Sequence, residues 1–179
     1  MHKAVTAGRE EPLTAFYKDT VGKEVVTFMD KIASFCVDHT KLKPGIYVSR
    51  IDGDIATYDI RVKTPNQPPF LETAAMHTIE HLFATFARNS EFADRVIYFG
   101  PMGCRTGFYF LVRDLSGEQA LALIKDIVGR IAGYRGEIPG NSAVECGNYL
   151  EHDLEEARRE MALFSRIIES WHPSDMQYS

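Results

Sequence analysis

Between residues 13 and 35, apolar side chains fall at Leu13, Phe16, Tyr17, Val21, Val25, Phe28, Met29 and Ile32. Steps of three and four gather such positions on one side of a helix, so this stretch is predicted helical, with Gly22 as its weak point. Lys43-Pro44-Gly45 breaks the pattern, and Ile46 to Ile51 and Ile55 to Val62 then read as strands joined at Asp52-Gly53-Asp54. Asp-Gly between β-rich runs is a hairpin signal. Thr64 to Pro69 holds three prolines and is predicted to be a loop. A helix over Glu72 to Arg88, a strand over Val96 to Phe99, a turn at Gly100-Pro101-Met102-Gly103 and a strand over Thr106 to Arg113 follow. Ser116-Gly117-Glu118-Gln119 has the S-x-x-Q form of a capping box and opens a helix running to about Tyr134. After a loop over Gly136 to Asn148, a last helix is predicted from Leu150 to Trp171, with Leu154, Ala157, Met161, Phe164 and Ile168 on one stripe. This order predicts an α+β fold in a single domain, an antiparallel β-sheet with helices packed on one face. Strictly alternating βαβ units are absent, as is a glycine-rich phosphate loop after a strand.

Composition narrows the class without naming it. The 179 residues are 45% hydrophobic and 25% charged, ordinary for a globular protein with a sizeable core. A formal charge of −5 argues against nucleic acid as a partner, because phosphate binding rewards a basic face. No run of apolar residues is long enough to span a membrane. Met1-His2-Lys3-Ala4-Val5 lacks the apolar stretch of a secretory signal, and three cysteines suit reduced thiols better than a disulfide framework. A cytoplasmic location is expected.

The chemistry centres on His77-Thr78-Ile79-Glu80-His81. On a helix, residues four apart share a face with Cβ atoms roughly 5–6 Å apart, so both imidazoles reach one cation. Zinc, iron or cobalt suits imidazole ligands. Glu80 flanks the same face, either as a solvated carboxylate or as a general acid/base beside the metal. A metal that performs chemistry takes three protein ligands and keeps an open position. Cys146, between Glu145 and Gly147 in a loop, is the candidate third ligand, or else a small buried hydrophobe. Cys104 follows the glycine turn, where a thiolate serves as base or nucleophile if it is not simply inert. Gly103 and Gly107 would let a ligand approach the backbone there. Cys36 reads as packing. H-x-x-E-H is also the signature of inverzincin-type zinc metallopeptidases, and a non-catalytic, metal-stabilised binding domain is a third reading.

Several segments together resemble the S-ribosylhomocysteine lyase (LuxS) family. They are Ser34-Phe35-Cys36-Val37-Asp38-His39, Tyr58-Asp59-Ile60-Arg61, His77-Thr78-Ile79-Glu80-His81-Leu82, Pro101-Met102-Gly103-Cys104-Arg105-Thr106-Gly107, Glu145-Cys146-Gly147 and His152-Asp153-Leu154. The resemblance implies that His77, His81 and Cys146 bind one divalent metal per subunit, ferrous iron in the family and replaceable by zinc or cobalt. It implies acid/base roles for Glu80 and Cys104, and sugar contacts for Ser34, His39 and Arg61. It implies a homodimer with active sites at the subunit interface. The activity implied is cleavage of S-ribosylhomocysteine to homocysteine and 4,5-dihydroxy-2,3-pentanedione, the autoinducer-2 precursor of quorum sensing, by enolisation and β-elimination. Domain organisation is then expected as an N-terminal helical extension over 1–33 and a metal-dependent lyase domain over 34–179. Two departures stand out. The extension precedes the point where the family usually begins, and Tyr98 occupies a position six residues before Cys104 where the family tends to carry an aspartate.

Overall fold

The computed structural model describes residues 13–30, 32 and 35–178. By contacts the chain divides between Asp38 and His39 into two compact units.

In the first unit the structure departs from the helix expected over 13–35. Leu13–Lys18 (β1) and Glu24–Met29 (β2) are strands, paired antiparallel with Leu13 opposite Met29 and Lys18 opposite Glu24. The helical spacing was coincidental, because apolar residues occupy both faces of β2, with Val26 and Phe28 on one and Val25 and Met29 on the other. The β-branched run Val25-Val26-Thr27 favours extended backbone. Gly22, the weak point of the expected helix, is instead a turn residue at φ +81°, in the region that favours glycine. Asp19 closes the turn by accepting from the backbone N–H of Val21 and Lys23 at 3.0 and 2.9 Å. Phe16 and Phe28 remain largely exposed, at 78% and 70%.

The second unit is the expected α+β arrangement. Strands Gly45–Asp52 (β3), Ile55–Arg61 (β4), Val96–Pro101 (β5) and Gly107–Arg113 (β6) form an antiparallel sheet in the order β3-β4-β6-β5. Alternation decides its two faces. Ile46, Tyr58, Ile60, Phe108, Phe110, Val112 and Phe99 point one way and are buried. Helices Thr73–Arg88 (α1), Gly117–Gly133 (α2) and Leu154–Ile168 (α3) close over that face. Phe83 of α1 stacks on Phe99 at 3.8 Å and meets Phe110 edge-on at 5.1 Å. The opposite face carries Tyr47, Asp59 and Arg61.

The capping box at Ser116 is present, with Gln119 N–H donating to Ser116 Oγ at 3.2 Å and Ser116 N–H to Gln119 Oε1 at 3.0 Å. The last helix begins where its apolar stripe does, at Leu154, four residues later than the expected start at Leu150, and ends at Ile168 rather than Trp171. Asp153 caps it by accepting from Glu156 N–H at 2.9 Å, which leaves residues 150–152 outside the helix, in a turn and the irregular segment after it. That late start matters to the site.

Candidate functional site

Helix α1 carries His77 and His81 one turn apart, with ring centroids 4.7 Å apart. Each ring is oriented from behind. His77 Nδ1 donates to Glu151 O at 2.9 Å, and His81 Nδ1 donates to Pro139 O at 2.7 Å. A hydrogen on Nδ1 leaves the Nε2 lone pair free to ligate, the usual way in which an outer contact selects the ligating tautomer. The carbonyl of Glu151 is available because the chain there is not yet helical. Gly140, at φ +71°, lies against His81, and a Cβ at 140 would stand 3.3 Å from Nδ1. Glycine therefore serves both the turn and the close approach that lets Pro139 O reach the imidazole.

Cys146 comes from the loop between α2 and α3. A turn fixes it, with Cys146 N–H donating to Ser142 O at 2.9 Å and Glu145 N–H to the same oxygen at 3.0 Å. Its sulfur lies 3.3 Å from His77 Nε2 and accepts from Asn148 N–H at 3.4 Å. The structure thus brings His77, His81 and Cys146 together, and their ligand atoms lie within 4.8 Å of one another. Two neutral imidazoles and a thiol fit a late transition metal.

His152 belongs to the same cluster and escaped the sequence reading as a site residue. Its ring stacks on His77 at 4.0 Å with 21° between planes. The structure therefore gathers four candidate donors, the three expected from the sequence and His152. Thr78 Oγ1 gives its one hydrogen to Ala74 O at 2.9 Å and accepts from Asp153 N–H at 2.9 Å. Its 3.2 Å contact with His152 Nδ1 therefore has the imidazole as donor, which leaves Nε2 an acceptor. That Nε2 is buried without a partner. Burial first, and then the nearby His77 and His81, push the His152 pKa down to about 4. Glu80 is half-buried on α1.

A second group of residues surrounds Cys104. Arg105, at φ 58°, closes a turn in which its N–H donates to Met102 O at 2.9 Å, and Cys104 occupies that turn. Gly107 does not open the backbone to a ligand as expected, since a Cβ there would stand 2.4 Å from Ile60 O and its role is close strand packing. Arg61 Nη1 donates to Thr106 Oγ1 at 2.6 Å and lies 3.8 Å from Cys104 Sγ, while Thr106 Oγ1 is 3.1 Å from the same sulfur. Burial alone would raise the Cys104 pKa. The hydroxyl and backbone of Thr106 and the Arg61 charge outweigh it, and the thiol lies below its ordinary value. Asp59, also missed in the sequence, pairs with Arg61 at 2.6 Å. Its signal was the i, i+2 spacing, which puts both on one face of a strand. His39 is half-buried in the turn ahead of β3. Ser34 lies outside the described residues.

An α+β scaffold that gathers two imidazoles and a thiol at one point, and acidifies a second thiol, is the frame of a metal-dependent enzyme. The family model described as S-Ribosylhomocysteinase (LuxS) matches residues 32–174, and the chain belongs to that family. An S-ribosylhomocysteine lyase of Desulfotalea psychrophila (strain LSv54 / DSM 12343) is 47% identical over 157 residues, covering 84% of this chain and 99% of the relative. One from Clostridium acetobutylicum is 46% identical over 156 residues, with the same coverage. One from Clostridium beijerinckii is 49% identical over 136 residues, covering 73% and 86%. The protein is accordingly a carbon–sulfur lyase by family.

Proposed function

We propose that this chain cleaves the thioether of S-ribosylhomocysteine, releasing homocysteine and 4,5-dihydroxy-2,3-pentanedione. The observation that carries the reading is the pairing of a His77/His81/Cys146 donor cluster with a separate thiol, Cys104, held acidic beside Arg61. Elimination needs the sulfur β to a carbonyl, so the opened ribose must carry its carbonyl along the chain by successive enolisations. A divalent cation in the cluster, ferrous iron with zinc or cobalt as substitutes, supplies Lewis-acid stabilisation of charge developing on oxygen. His77, His81 and Cys146 hold it. Cys104 as thiolate and Glu80 as carboxylate take and return protons at different carbons. Ser34, His39 and Arg61 contact the sugar. Residues 34–179 carry this activity, 1–33 form an extension, and the working unit is a cytoplasmic homodimer with its sites at the interface.

Free thiol released from S-ribosylhomocysteine is the direct assay. Cys104→Ala and Glu80→Gln should each lose about 10²–10⁴-fold in rate while metal analysis still finds one cation per chain. His77→Ala should lose the cation as well. Wild type that carries cation yet releases no thiol would end the proposal, and cleavage of a peptide library in its place would favour the metallopeptidase reading.

A further inference from the structure

The family match ends at residue 174, and the described residues after it, to Tyr178, pack on the sheet. Trp171 Nε1 donates to Ile46 O at 3.0 Å, and Val48 N–H donates to Met176 O at 2.9 Å. These bonds fasten the C-terminal segment to β3, one of the two edge strands of the sheet. Met176 is buried, and the Tyr178 ring stacks on Tyr47 at 5.0 Å with 16° between planes. The Tyr178 hydroxyl donates to Asp59 Oδ2 at 2.9 Å. The same Oδ2 receives Arg61 Nη2 at 2.6 Å, and Arg61 Nη1 reaches Thr106 and Cys104.

We infer that this C-terminal strap, through Tyr178, is a positioning element for the Arg61–Cys104 pair. Tyr178 acts through Asp59 and Arg61 and does not touch the sulfur. Two effects have the same sign. The strap lies over an ion pair whose side chains are only 1% and 3% exposed, and exclusion of water strengthens the field that Arg61 places on Cys104. The phenol also takes up part of the Asp59 charge, so the carboxylate competes less for the guanidinium. Among the described residues Asp59 Oδ1 and Arg61 Nε have no hydrogen-bond partner, so each bond the pair does make carries more of its positioning. Among the described residues, Tyr47 and Tyr109 on the sheet and Ser49 in the β3 bulge also face it. Burial, then the Asp59 charge, raise the Tyr178 pKa, so it remains a donor through the neutral range.

The inference rests on Cys104 as an acid/base group only for its functional meaning, and its test needs no substrate. Full-length, cation-loaded protein is alkylated with iodoacetamide across pH, and labelling of Cys104 is read by peptide mass spectrometry. In Tyr178→Phe, which keeps the ring, the midpoint should rise by roughly half a unit, and in a chain ending at Gln177 by about one unit. The acid limb of the lyase pH–rate profile should move with it. An unmoved midpoint in Tyr178→Phe overturns the inference, whether or not the shortened chain folds. A moved midpoint in a protein without lyase activity keeps the strap and overturns the proposed function. Lyase activity with an unmoved midpoint does the reverse.

Discussion

His152 illustrates how much one ring adds to a site. It stacks on a candidate ligand, receives no partner at Nε2 and is kept neutral by burial and by the two histidines. The unfolded chain takes up a proton on this imidazole near pH 6.5, whereas the folded chain does so only near pH 4. The unfolded state therefore binds more protons between those values, and folding stability must fall as pH drops through that window, with no contribution above it. For cation-free protein, the denaturation midpoint should decline from pH 7 to pH 5. In His152→Gln that decline should be shallower, and equal slopes in the two proteins would rule out this residue as the source.

Among the elements, the start of α3 has the greatest consequence. Because Asp153 rather than Leu150 opens the helix, the chain before it stays non-helical. It offers Glu151 O to His77, while Asp153 N–H goes to Thr78. Thr78 thus ties α1 to the entry of α3 inside the metal cluster. Thr78→Val is nearly isosteric but strands His152 Nδ1 and leaves Asp153 N–H only its longer bond to Ala74 O at 3.3 Å, and should cost about 1–3 kcal/mol in urea unfolding. A change within a few tenths would mean that water replaces the hydroxyl. The apolar stripe from Leu154 to Ile168 was legible in the sequence, but the helix start was not, because capping is a local side-chain choice that periodicity does not register. The hairpin β1–β2 was misread for the related reason that apolar residues on both faces of a strand imitate helical spacing.

At the scale of the molecule, every described member of the donor cluster lies in the second unit, on α1 and in the segment ahead of α3. Removal of residues 1–31 should therefore leave cobalt binding at one equivalent per chain, read from the thiolate-to-metal absorption band. Loss of binding would show that the extension shapes the site. Because Cys146 comes from a loop and His77 from a helix, a bound cation cross-links them. Chelation should then lower the thermal midpoint, by an amount corresponding to about 2.7 kcal/mol at a free cation concentration 100 times Kd. Among the described residues no helix is long and apolar enough to cross a membrane.

Read alone, the chain determined what is local or periodic: the Asp52-Gly53 hairpin, the Ser116 cap, the i, i+4 histidines and the donor types suited to a transition metal. Those follow from side-chain chemistry and spacings of a few residues. Only the tertiary structure decided that a thiol 69 residues from His77 lies 3.3 Å from its ring. Folding also stacked His152 on that ring within the same donor cluster, and joined Tyr178 through Asp59 to Arg61 beside Cys104. Such convergence depends on how sheet, helices and loops pack, and the packing is a property of the whole chain that no short window contains.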